Sequence, residues 1–128
     1  MKFLTVQDVQ LIHMQIIDAS GGSQGTRDDG RLQSVIAATR QEVFGIELYK
    51  NVYEKSAALA RGIIGDHPFV DGNKRTGIMA ALVFLNLNNV DTTCVNSKDL
   101  EDFAVQIAVE HLDVEQIASW LQQNSGKA

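Results

Sequence analysis

The chain is 128 residues long, 45% hydrophobic and 21% charged, and its 11 Lys and Arg against 16 Asp and Glu leave a net charge of −5. That length buries roughly two-thirds of the surface an unfolded chain exposes, so one core without staples suffices and a single domain over residues 1–128 is expected. The acidic balance argues against a broad grip on nucleic acid or anionic lipid, and neither is expected as a direct partner. A lone cysteine, Cys94, closes no internal disulfide and no zinc-type Cys/His spacing is present. With no signal-peptide core after Leu4, and an apolar run from Gly77 to Leu85 too short to span a bilayer, a cytoplasmic location is expected.

Apolar residues recur at i, i+3 and i+4, which predicts a mainly helical protein. Thr5 with Asp8 reads as an N-terminal cap, and Val6, Val9, Leu11, Ile12, Ile16 and Ile17 give the first helix a buried stripe that Gly21 and Gly22 end. A loop, SGGSQGTRDD, follows, and Asp28 or Asp29 caps a second helix that fades near Gly45; residues 45–51 fit no pattern clearly. A third helix runs from about Val52 to Gly65. A fourth starts at Asn73 and is apolar nearly all round, which predicts a central position, until Asn88 and Asn89 stop it. The β-branched stretch DTTCV, 91–95, predicts an extended segment or one arm of a small hairpin. Ser97 then caps a fifth helix, Asp113 and Gln116 form a capping box for a sixth, and the tail NSGKA is expected to fray.

Between the third and fourth helices lies Asp66-His67-Pro68-Phe69-Val70-Asp71-Gly72-Asn73-Lys74-Arg75-Thr76. Helix starts favour acids, because the free amides of the first turn carry about half a positive charge. Lys74 and Arg75 stand there instead, an arrangement that becomes favourable when a polyanion docks on that end. Gly72 lets backbone approach a ligand closely, and Asn73 is placed to cap the helix or to face the anion. Asp71 is suited to hold a hard cation such as Mg²⁺ through one carboxylate while substrate phosphates and water complete the shell. His67 supplies an imidazole able to take a proton from a hydroxyl near neutral pH. Phe69 would anchor the loop against the core. Each part has an ordinary reading: a helix-ending histidine, an Asp-Gly-Asn turn, a solvated cation pair. Together they form a pattern expected by chance on the order of once in a billion starts.

At these residues, HPFVDGNKRT from 67 to 76, the sequence resembles the Fic/Doc family. The likeness extends to IH in the first helix, GTRDDGRLQS at the second, YEKSAALARGI before the loop and TGIMAALVFLNLNN after it, and it is closest to the Doc branch. It implies an all-α Fic/Doc-like bundle around a central buried helix, with a short β-hairpin or extended flap. It further implies His67 as general base, Asp71 as Mg²⁺ ligand, Gly72, Asn73, Lys74 and Arg75 as the phosphate cradle, and Phe69 as loop anchor. Members with Gly at the position of Lys74 transfer AMP from ATP. Doc-type members, with Lys there, transfer the γ-phosphate, so the resemblance implies that transfer here, with AMP transfer or nucleotide binding without transfer as alternatives. A bulky cation that removes space and adds charge where the AMP-transfer pose puts its outer phosphates is a physical reason for it.

By the same resemblance, the chain is expected to be the toxin of a toxin–antitoxin pair, modifying a threonine of elongation factor Tu and halting translation. Many Fic enzymes carry an inhibitory Glu followed by Gly or Asn; no Glu here is so followed, so restraint is expected from an antitoxin in trans. Other residues carry less. His13 reads as a hydrogen-bonded core histidine, Arg27 and Asp28 as a capped loop, His111 as structural, Trp120 as core and Cys94 as a small apolar filler. Arg61 stands near the loop, where it either supports a phosphate or complements its own helix end.

Overall fold

The structure, a computed structural model, describes residues 1–126. Thr5 opens the first helix, α1 (Val6–Ser20), through the capping box its sequence predicts: its side chain accepts from the Asp8 amide and Asp8 accepts from the Thr5 amide. Then follow α2 (Asp29–Ala38), capped by Asp28, the strands β1 (Glu42–Val43) and β2 (Ile46–Glu47), and the helices α3 (Val52–Asp66), α4 (Asn73–Leu87), α5 (Ser97–Glu110) and α6 (Val114–Asn124). Among the described residues the protein is therefore helical apart from one antiparallel hairpin, and no helix is long and apolar enough to cross a membrane.

The apolar girth of α4 gives it the central place. Ile78, Ala81, Leu82 and Leu85 pack with α5 and α6 against Phe103, Ile107, Ile117 and Leu121, whereas Ala80 and Phe84 join Val9 of α1 and Leu32 and Val35 of α2. Helix α3 runs alongside and splits the same way, with Ala57, Ala60 and Ile64 on one side and Leu59 and Ile63 on the other. Each such buried aliphatic or aromatic side chain contributes roughly 1.5–3 kcal/mol. The Ser56 hydroxyl donates to Ala81 O at 2.8 Å and pins α3 to α4. Trp120 stacks on Phe103 with ring centroids 4.1 Å apart, half-buried against the core rather than within it.

Several local expectations are corrected, beginning with Leu11, which is 49% exposed and lies outside the buried stripe of α1. The hairpin lies at 42–47, pairing Glu42 with Glu47 and Val43 with Ile46, and α2 ends at Ala38. Its two-residue loop has Phe44 at φ 52° and Gly45 at φ 78°, the positive pair a tight hairpin needs, with phenylalanine where Asn or Asp is usual. Residues 91–95 form turns: the Asp91 carboxylate accepts from the Thr93 hydroxyl at 2.6 Å and the Thr93 amide at 2.9 Å, which holds its acid constant below the usual carboxylate range, and the Val95 amide closes on Thr92 O. Asn96, rather than Ser97, caps α5, accepting from the amides of Lys98 and Asp99. The tail is tied down as far as Gly126, whose amide donates to Asp91 O at 2.7 Å; the rest of the expected frayed segment lies outside the described residues. Cys94 is exposed rather than an apolar filler, its thiol donating to Asn124 O.

Lysine 55 is 1% exposed. Its ammonium donates to Thr39 O at 2.9 Å and pairs with Glu47 at 3.4 Å, tying β2 to the end of α2. Above this latch the hairpin presents Val43, Phe44 and Ile46 to solvent.

Candidate functional site

The turn between α3 and α4 is held from both sides. His67 ends α3 in the left-handed conformation, φ 50° and ψ 58°, uncommon for a residue with a Cβ and maintained only where neighbours fix it. Arg27 is that fixture: its Nε donates to His67 O at 2.9 Å and its Nη2 to Asp66 O at 3.0 Å and to His67 O, so a cation covers the negative end of α3. The amides of Arg27 and Asp28 donate to Pro68 O, the Val70 amide donates to Gly25 O, and Thr26 bridges to Phe69. Arg27 and Asp28 thus serve as the capped loop that their sequence predicts, and they do so for the turn as well as for α2.

Phe69 is 1% exposed and stacks on His13, centroids 4.0 Å apart and planes within 6°. His13 is itself buried, and its Nε2 lies 2.7 Å from Asp71 O. A carbonyl only accepts, so Nε2 carries the hydrogen and His13 is a hydrogen-bonded core histidine. Asn73 neither caps α4 nor faces outward: it is 8% exposed, its Oδ1 accepts from the Phe69 amide and its Nδ2 donates to Phe69 O, both at 3.0 Å. The side chain expected to face an anion therefore closes the turn on itself.

Gly72 precedes α4 at φ 74°, ψ 20°, and a Cβ there would lie 2.9 Å from Ile17 Cδ1, so both backbone and packing require glycine. The N-terminus of α4 receives no side-chain cap and no acid in its first turn. Lys74 and Arg75 are exposed beside it and, among the described residues, neither belongs to an ion pair. Arg75 donates instead to the Ser20 hydroxyl at the end of α1. Asp71 is held alongside by the Gly72 amide at 2.9 Å and the Ser23 amide at 3.2 Å. Gly22 explains how that second amide comes so close: a Cβ on it would sit 2.7 Å from Asp71 Oδ2. Gly22, legible in sequence only as part of a helix stop, gives the carboxylate its berth.

Asp71, Gly72, Asn73, Lys74 and Arg75 line one open cavity of about 790 Å³, together with Ser20–Gly22 and with Ile78, Glu101, Ala104 and Val105. This is ample for a nucleoside triphosphate. His67 is exposed and lines a smaller neighbouring cavity of about 240 Å³, with Arg61, Asp66 and His111. Both cavities share α5 as a wall, Glu101 to Val105 on one and Ile107 to His111 on the other. The sequence reading missed Gly22, Ser23 and Glu101; the first two carry only a loop signal, and Glu101 reads as one exposed helix acid among several.

Magnesium would fit the donor set at Asp71. Asp71 lines the cavity, two amides steady its carboxylate and leave lone pairs to spare, and Mg²⁺ commonly takes one or two carboxylates with phosphates and water. Among the described residues no group of three or more ligating side chains gathers, so such an ion would depend on substrate oxygens.

A mainly helical fold with a two-strand hairpin is the architecture that the resemblance of residues 67–76 implies. A family model described as "Fic/DOC family" matches residues 3–85. The chain is 36% identical over 104 residues to "Toxin Doc" of Mycolicibacterium smegmatis, covering 80% of each chain. It is 30% identical over 128 residues to "Protein kinase doc" of Escherichia phage P1, covering 100% of this chain and 99% of the other. The chain belongs to the Fic/Doc family.

Proposed function

We propose that this protein is an ATP-dependent protein phosphotransferase acting as the toxin of a toxin–antitoxin pair in the cytoplasm. The observation that carries the reading is the start of α4, an uncapped helix N-terminus that offers Lys74 and Arg75 to a cavity of about 790 Å³. Amides and cations converging there are the usual means of holding phosphates. The names of the two relatives, a toxin and a protein kinase, support the same reading.

In this mechanism Gly72, Asn73, Lys74 and Arg75 form the cradle, with Asn73 acting through the shape it gives the turn and the other three through amides and charge. The γ-phosphate lies at the His67 end. His67 takes the proton of an acceptor hydroxyl, the hydroxyl oxygen bonds to the γ-phosphorus, the bond from that phosphorus to the β–γ bridging oxygen breaks, and ADP leaves. Asp71 would hold Mg²⁺, which supplies charge neutralisation on the phosphates when bound. Phe69 keeps the imidazole and the cradle in register through its anchorage on His13. By family resemblance the acceptor is a threonine of elongation factor Tu, and an antitoxin supplied in trans restrains the enzyme.

The test is incubation of the purified protein and elongation factor Tu with ATP labelled at the γ- or the α-phosphate. Label on the factor from γ alone is expected. Label from α alone would replace the reading with AMP transfer, and no label from either would overturn it.

A further inference from the structure

Glu101 is the group in the larger cavity to which phosphate chemistry gives no work. It stands on the α5 wall with Ala104 and Val105 three and four positions further along the same helix face, and Ile78 of α4 lines the cavity with them. Glu101 is exposed and, among the described residues, forms no ion pair with Lys74, Arg75 or any other cation. One cavity thus has a cationic region built on α4 and a separate carboxylate built on α5 next to small apolar side chains.

A carboxylate only accepts hydrogen bonds, and it repels a polyphosphate. The part of a nucleotide it suits is the ribose, whose two neighbouring hydroxyls both donate; acidic side chains read ribose in this way in dinucleotide sites. The apolar surface of Ile78, Ala104 and Val105 suits the flat base beyond. We infer that Glu101 is the nucleoside-reading residue of this cavity, selecting ribonucleotides through the ribose hydroxyls and fixing the direction in which the nucleotide lies. The inference rests on the proposed use of the cavity for ATP and deepens it. With Glu101 on the ribose, the phosphates run back to α4 and their outer end approaches His67. The reversed pose needed for AMP transfer would press the outer phosphates toward the carboxylate.

The test is calorimetric titration of the full chain with ATP, 2′-deoxy-ATP, 3′-deoxy-ATP and inorganic tripolyphosphate, each with Mg²⁺, for the wild type and Glu101→Ala. The site is an exposed helix position where alanine folds well. The wild type is expected to bind the deoxy nucleotides about five- to tenfold more weakly than ATP, the loss of one charge-assisted hydrogen bond at an open site. In Glu101→Ala, which loses both hydroxyl bonds, ATP should weaken by more than that factor, the three nucleotides should become equal, and tripolyphosphate should bind as tightly as before or more tightly. Equal binding of ATP and its deoxy forms by the wild type would overturn the inference while leaving the proposed function standing. So would ribose discrimination that survives in the variant, or tripolyphosphate affinity that falls in step with ATP. A wild type that binds neither ATP nor tripolyphosphate would overturn both.

Discussion

Replacing Asn73 with alanine tests whether the loop is held as described. The side chain is 8% exposed and satisfies both backbone groups of Phe69, a residue 1% exposed, through two hydrogen bonds of 3.0 Å. Asn73→Ala leaves that amide and that carbonyl buried without partners, and each such group costs about 1–3 kcal/mol, so the expected loss is about 2–6 kcal/mol. For a chain of this length a loss of about 3 kcal/mol lowers the melting temperature by about 10 °C. Circular dichroism melts and urea titrations, with the m-value unchanged, measure it. The neighbouring Lys74→Ala is the contrast: an exposed side chain with no ion pair among the described residues, it should move stability by less than about 0.5 kcal/mol. Its effect should fall on ATP affinity. An Asn73→Ala protein melting within about 2 °C of the wild type would refute the clasp.

Gly22→Ala would put a Cβ 2.7 Å from Asp71 Oδ2 at a backbone φ of +116°, so we expect strain of about 1–3 kcal/mol and a displaced carboxylate, seen as a higher Mg²⁺ concentration for half-maximal ATP binding; an unchanged Mg²⁺ requirement would contradict it. Arg27→Ala removes the donors on Asp66 O and His67 O and releases His67 from its left-handed backbone. Phosphate transfer should fall about tenfold or more with ATP affinity kept, and an unaltered transfer rate would count against the positioning role. Lys55→Met keeps most of the buried volume but strands Thr39 O and frees Glu47, at a cost of about 1–3 kcal/mol. Limited proteolysis should then cut faster within 41–48; equal resistance would show that the hairpin does not depend on this latch.

The helices were legible because their signals are local: Thr5 with Asp8 and Asp113 with Gln116 are complete capping boxes in sequence, and the apolar girth of α4 marks it as central. The hairpin was hidden because its loop uses Phe44 where the turn chemistry favours Asn or Asp, and DTTCV misled because the Asp91 side chain outcompetes strand pairing. The residue types of the site were readable from 67–76, but their partners were not. His13, Gly22, Ser23 and Arg27 act on Asp71 and His67 across 40 to 58 positions of chain, and nothing in local spacing announces that. The inward turn of Asn73 follows from the backbone groups of Phe69, which only the folded loop brings beside it. Likewise, Glu101 becomes a cavity residue only once α5 packs beside α4.

The central claim is that donor and base occupy adjoining cavities, the nucleotide on the α4 side and the imidazole on the α3 side. His67→Ala separates them most directly, measured for ATP affinity by calorimetry and for γ-phosphate transfer to the acceptor protein in the same preparation. The account predicts an ATP dissociation constant within about twofold of the wild type and transfer reduced by about 10² or more, with growth arrest on expression lost. A His67→Ala protein that still transfers phosphate at the wild-type rate would contradict it.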